Sequence, residues 1–152
     1  MTINPEEDGI THINVYSKGK TKLGQSLSNF AYSPFTLKEH GRFASVEAYW
    51  YWVSTGKQHD HLRNLFGWKA KEEGKKLEVV QMKEHIFQTY IRSAIQAKLM
   101  QNKGILNELI DSSLPLAHYY VYGGEVVDAG YEWIIEFLEY VRKSCKDANW
   151  RP

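Results

Sequence analysis

Two short segments in the first third of the chain carry side chains whose types and spacing suit chemistry on a polar, ring-bearing substrate. The first is Leu27-Ser28-Asn29-Phe30, followed by Ser33-Pro34-Phe35. A loop of this kind presents hydroxyl and amide groups and leaves backbone N–H groups free for an anion. The second is Gly41-Arg42-Phe43-Ala44-Ser45-Val46-Glu47-Ala48-Tyr49-Trp50. Ser45 is a plausible N-cap, which places the Glu47 carboxylate in the first turn of a helix among Phe43, Tyr49 and Trp50. Plain structural roles account for the same residues: turn chemistry for Ser28 and Asn29, complementing the helix dipole for Glu47, core packing for the aromatics.

The elements that would hold these groups can be read from periodicity. Ile13 to Tyr16 predicts a short strand, and 17–28 a polar loop with Gly19 and Gly24. Phe35 to Lys38 predicts a second strand before a turn at Glu39 to Arg42. Val46 to Thr55 predicts a helix stopped by Gly56, and Asp60 to Glu73 a second one ending near Gly74. The longest helix is expected over 77–102, where Val79, Met82, Ile86, Tyr90, Ala94 and Ala97 follow helical spacing and Phe87, Ile91, Ile95 and Leu99 widen the stripe. A short helix over 105–110 follows. A strand over 116–122, closed by Gly123 and Gly124, comes next. A last helix over 131–145 places Ile134, Leu138, Val141 and Cys145 on one face. The expected fold class is α+β, a helix-rich single domain with a few short strands. Its span is 13–146, with a loose lead-in over 1–12 and a tail over 147–152.

Composition narrows the function classes. The 152 residues are 43% hydrophobic and 24% charged, as in an ordinary globular domain. Aromatic residues reach 14%, which suits either a core or a nucleotide pocket. Nineteen basic and eighteen acidic side chains leave a net charge of +1, against a general duplex-binding surface. Lys18, Lys20 and Lys22 form a local basic cluster able to hold a diphosphate. The single cysteine, Cys145, excludes an intrachain disulfide and suits a reducing, cytoplasmic setting. No apolar run approaches a membrane span.

Other motifs fall away. There is no dinucleotide-binding glycine fingerprint, so no nucleotide cofactor is expected. Gly74-Lys75-Lys76 lacks the spacing and the following Ser or Thr of a phosphate loop. His59 and His61 are two apart and no set of thiolates accompanies them, so no metal is expected.

The motifs resemble those of the NADAR, or YbiA-like, family. The resemblance rests on Leu27-Ser28-Asn29-Phe30, Ser33-Pro34-Phe35 and the Phe43-x-Ser45-x-Glu47-x-Tyr49 spacing. It extends to Ala94-Ile95-Gln96-Ala97-Lys98-Leu99-Met100-Gln101-Asn102 with Leu106 to Ile110 behind it. The family's Glu-His pair reads Glu47-Ala48 here, its following Gln is Tyr51, and its Asp-Trp pair has no counterpart near Met82 and Lys83. The chain therefore resembles a divergent branch.

That resemblance implies an N-glycosidase that hydrolyses a ribosyl C–N bond in an ADP-ribose-linked base or a related ribosyl nucleotide intermediate. It implies Glu47 as the catalytic carboxylate, with no cofactor. Ser28, Asn29 and Phe30 would line the ribose or phosphate. Phe43, Tyr51 and Trp133 would stack on the base or serve as core. Lys98 would reach a phosphate or sit in solvent, and solvent is the expected place. Asp128 would be a second acid or cap a turn. Expected partners are small ribosyl nucleotides or ADP-ribosylated bases, extending to ADP-ribosylated nucleic acid. A non-catalytic ADP-ribose-binding module is the alternative.

Overall fold

The computed structural model describes residues 2–152. Helix makes up 48% and strand 13% of the chain, the helix-rich α+β class expected. The chain forms two compact units, one from residues up to 28 together with 104–152, the other from 29–103.

The first unit holds β1 (Ile13–Asn14), α1 (Lys22–Leu27), α5 (Lys103–Asp111), β4 (Leu116–Ala117), β5 (Tyr119–Tyr122), β6 (Glu125–Asp128) and α6 (Glu132–Asp147). β1 pairs in parallel with β4, Ile13 opposite Leu116. Two-residue strands supply few ladder bonds, and a side chain completes them. Buried Asn14 donates from Nδ2 to the Tyr119 carbonyl and accepts from the Tyr119 N–H at Oδ1, each at 3.0 Å. α1 occupies what the sequence reading assigned to loop. Thr21 caps it by accepting from Gly24 N–H, and Leu23 and Leu27 bury one face. Gly24 is required there, because a Cβ would lie 2.2 Å from the Asn14 carbonyl oxygen. β5 and β6 form an antiparallel hairpin through Gly123 and Gly124, both at positive φ. β6 extends past the strand expected from sequence.

α6 buries Ile134, Leu138 and Arg142. Arg142 thus takes the inward place expected for Val141. Its guanidinium donates to the carbonyls of Ser112 and Leu114 and pairs with Glu139, so the buried charge is well satisfied. The basic cluster expected at Lys18, Lys20 and Lys22 is dispersed into ion pairs. Lys20 meets Glu6 at 3.1 Å and Lys22 meets Glu108 at 3.5 Å.

The second unit holds β2 (Phe35–Leu37), β3 (Gly41–Phe43), α2 (Val46–Ser54), α3 (Gly67–Lys75) and α4 (Glu84–Gln101). β2 and β3 pair antiparallel, Phe35 opposite Phe43. Their inward rings join Tyr49 and Trp52 of α2 in one aromatic cluster, with Phe43 and Tyr49 centroids 4.9 Å apart. The helix expected from Asp60 is broken into a 3-10 turn over Asp60–Leu62 and α3. Asp60 is tied instead to Trp52 Nε1 at 3.0 Å and to Arg63 Nε at 2.8 Å, and Gly67 at φ 60° starts the next helix.

The long helix begins at Glu84 rather than Leu77. Val79 and Val80 are β-branched and favour extended backbone, and the Val80 N–H bonds the Ser54 carbonyl at the end of α2. α4 then buries Ile91, Ala94, Ile95, Lys98 and Leu99, a stripe at 0, +3, +4, +7 and +8. No helix is long and apolar enough to cross a membrane among the described residues.

Candidate active site around Glu47

The site is built where α2 and α3 begin. Ser45 caps α2, accepting the Ala48 N–H at 3.1 Å, and its hydroxyl donates to the Leu65 carbonyl at 2.9 Å. One short loop covers both helix starts. The Asn29 carbonyl accepts the Glu47 N–H at 3.0 Å, and the Phe30 carbonyl accepts the Gly67 N–H at 2.9 Å. Further along, Gly74 lies directly against Tyr51, where a Cβ would come within 2.1 Å of the ring. The two helices therefore run side by side in the same direction. Their first-turn N–H groups, the positive ends of both dipoles, gather under residues 29–30.

Glu47 stands in this arrangement half-buried. Burial pushes its carboxyl up from 4.5 to about 7, while Lys71 and Lys75 of α3 pull the other way. No hydrogen bond or ion pair engages its carboxylate among the described residues, and neither oxygen is sealed away without a partner. The group is desolvated enough to hold a proton near neutral pH, yet its oxygens are not wholly cut off from solvent. Those properties suit a group that both donates and accepts protons.

One helical turn beyond Glu47, Trp50, Tyr51 and Ser54 enter the wall of a cleft of about 850 Å³. The segment from Val79 to Lys83 and Phe87 of α4 form its other side. Trp50 and Phe87 meet edge to face at 4.8 Å. Glu47 itself is not part of this wall.

The structure brings together Glu47, the Asn29–Phe30 bend and Tyr51. It places the other expected site residues differently. Phe43 is fully buried between Phe35, Tyr49 and Trp52, with the Arg63 guanidinium 4.5 Å over its ring. Its ring is packed into the core of this unit. Lys98 does not sit in solvent. It lies in the apolar stripe of α4 at 2% exposure, and burial lowers its ammonium to about 7.

In the other unit, Ser28 is buried and closes α1, its N–H bonded to the Gln25 carbonyl. Asp128 is exposed and accepts the Gly130 N–H at 2.8 Å, the turn-capping role. Trp133 is half-buried in the first turn of α6.

Sequence reading missed Lys71 and Lys75. It also missed an exposed aromatic group near the two helix starts: Tyr32 and Phe66, 5.2 Å apart, and Trp68. The signal was the Trp68, Lys71, Lys75 spacing on one helix face, hidden because α3 does not begin at Asp60. A second missed cluster joins His40 Nδ1 to the Tyr49 hydroxyl at 2.8 Å and Lys57 to the Tyr90 hydroxyl at 2.7 Å. Among the described residues no group of three or more His, Cys, Asp or Glu side chains is arranged to hold a metal.

No family model matches the chain, and no curated protein matches it by sequence. A solved structure does: the NMR structure of the E. coli protein YbiA. The match covers 97% of this chain and 95% of that one, with a TM-score of 0.69 at 18% identity. The chain therefore has the fold of YbiA.

Proposed function

We propose that the protein is an N-glycosidase that hydrolyses a ribosyl C–N bond, with Glu47 as its acid–base group. The observation that carries this reading is the Glu47 carboxylate itself. It is half-buried and unengaged by protein partners, and its pKa is raised to about 7. The likeness of fold to YbiA and the Ser28-Asn29-Phe30 and Ser45-x-Glu47 motifs support it.

Cleavage breaks the bond from C1′ to the base nitrogen, and the electron pair leaves with the base. Positive charge develops on C1′ and the ring oxygen. The ionised Glu47 stabilises that charge, then takes a proton from the water that adds to C1′. Glu47 then passes that proton to the departing nitrogen, so the base leaves neutral and the carboxylate is regenerated. The Asn29–Phe30 bend, held on two helix starts, would face the ribose or phosphate, and Tyr51 the base. The substrate class is an ADP-ribose-linked base or a related ribosyl nucleotide, which fits a cytoplasmic enzyme with one free thiol.

Incubation with a panel of ribosyl compounds, followed by detection of the freed base, tests the reading. Base should be released by the native protein and not by Glu47→Gln. A second reading, a nucleotide-binding module without chemistry, is favoured by one observation. Asp128, open on sequence to a role as second acid or as turn cap, accepts the Gly130 N–H. Equal binding by both proteins with no base released by either would establish it.

A further inference from the structure

Three aromatic rings stay exposed beside the starts of α2 and α3. Tyr32 is 58% exposed, Phe66 49% and Trp68 64%. Single exposed rings are ordinary, but these are grouped and fixed in place. The Phe30 carbonyl accepts the Gly67 N–H at 2.9 Å, which ties the backbone just before Tyr32 to the backbone between Phe66 and Trp68. Tyr32 and Phe66 then meet edge to face, their centroids 5.2 Å apart. That contact covers part of each ring and leaves the rest to solvent.

The charge around these rings is one-sided. Arg42 is exposed, and its guanidinium donates to the Tyr32 hydroxyl at 3.4 Å and to Asn64 Oδ1 at 3.3 Å. The Lys71 ammonium stands 5.5 Å over the Trp68 ring. Neither cation is in an ion pair among the described residues. The acids of 60–73 are matched to other bases: Asp60 to Arg63, and Glu72 and Glu73 to Lys69.

Open ring faces beside unmatched cations fit a ligand that carries both flat π surfaces and negative charge. A single nucleic-acid strand has both. In a duplex the bases stack on one another, and a net charge of +1 attracts its backbone weakly. An acidic peptide would satisfy the cations and leave the rings unused. We propose that Tyr32, Phe66 and Trp68 form a stacking platform for single-stranded nucleic acid, with Arg42 and Lys71 against its phosphates. The Asn29–Phe30 bend bonds both Glu47 and Gly67, so a strand on the platform passes close to the Glu47 turn. Strand binding there does not depend on whether Glu47 cleaves a glycosidic bond.

Fluorescence anisotropy of the full chain with labelled oligothymidylate and oligouridylate of about twelve nucleotides tests it, beside a duplex of equal length. Both single strands should bind at least about tenfold more tightly than the duplex. Trp68→Ala and Tyr32→Ala should each weaken the single strands about tenfold, the loss of one stacked base. Trp68→Phe keeps a ring and should stay within about threefold of native. Arg42→Gln should flatten the slope of log K against log salt by about 0.7, one phosphate contact. Lys69→Gln removes a paired lysine of the same helix and should bind within about twofold of native. The Arg42→Gln slope carries the test if a ring truncation disturbs the fold.

A native protein that ignores single strands, or prefers the duplex, overturns the proposal. So does a Tyr32→Ala, Trp68→Ala double variant that is folded and binds as the native protein does. Displacement of the strand by polyaspartate with the ring variants unaffected would assign the surface to an acidic protein instead. Base release is read separately. Ring-dependent strand binding with no base release by any form would sink the glycosidase reading and leave this one standing. Glu47-dependent release without strand binding would do the reverse.

Discussion

Replacing Glu47 by Gln should stabilise the protein above neutral pH while abolishing the proposed chemistry. Burial raises the Glu47 carboxyl from 4.5 to about 7, so the folded state favours the protonated acid. The sign follows directly. Below pH 4.5 the group is protonated in both folded and unfolded chains. As pH rises through the folded value near 7, the unfolded chain ionises freely and the folded one at a cost, so stability is lost. At about 1.4 kcal/mol per pH unit separating the two values, the loss approaches about 3 kcal/mol by pH 9. That is a ceiling, since the half-buried carboxylate keeps some water. Gln resembles the protonated acid at every pH. Urea unfolding of both proteins at pH 4 and pH 9 isolates the effect. The two should agree at pH 4, below the unfolded value, and the variant should be stronger by about 1–3 kcal/mol at pH 9. His40 and His118, whose burial lowers their values, give a slope of the opposite sign, but they cancel in the difference. A pH-independent gap, or a variant weaker at pH 9, would refute the claim that Glu47 holds its proton through desolvation.

Three further substitutions probe the frame of the site and its neighbouring unit. Gly74→Ala places a Cβ 2.1 Å from Tyr51 Cγ and 2.6 Å from its Cβ. The overpacking, about 1–3 kcal/mol, should outweigh the roughly 1 kcal/mol gain in helix propensity. Thermal unfolding should show a net loss that Tyr51→Ala partly restores, and additivity of the two changes would count against direct packing. Ser45→Ala removes the α2 cap and strands the Leu65 carbonyl, so urea unfolding should show a loss of about 2–3 kcal/mol. A loss below about 0.5 kcal/mol would mean that the cap does not hold the Glu47 turn. Asn14→Ala leaves the Tyr119 N–H and carbonyl unpaired and should cost about 2–4 kcal/mol in the same assay. A neutral result would show that water replaces the bonds.

The readable parts of the molecule were those fixed by local signals. Ser45, Val46 and Gly56 marked α2 to within a residue, because a cap and a stop residue bound an apolar run. Glu47 was legible as a first-turn carboxylate for the same reason. The misreadings share a cause in tertiary partners. α1 was hidden because Gly24, ordinarily a helix breaker, is dictated by the Asn14 carbonyl. The start of α4 was misplaced because the extended 79–80 segment is held by Ser54, far away in sequence. Lys98, open on sequence between a phosphate and solvent, lies seven residues after Ile91 and so on the buried stripe. Lys71 and Lys75 could not be paired with Glu47, since only the packing of α3 on α2 brings them to it.

The most direct test of the central claim is the pH dependence of base release from a cleavable ribosyl nucleotide, under single-turnover conditions, for native protein and Glu47→Gln. The native rate should change with a midpoint near 7, and the variant should be slower by at least about a hundredfold with that transition gone. A variant retaining the native rate and the same midpoint would show that Glu47 is not the acid–base group.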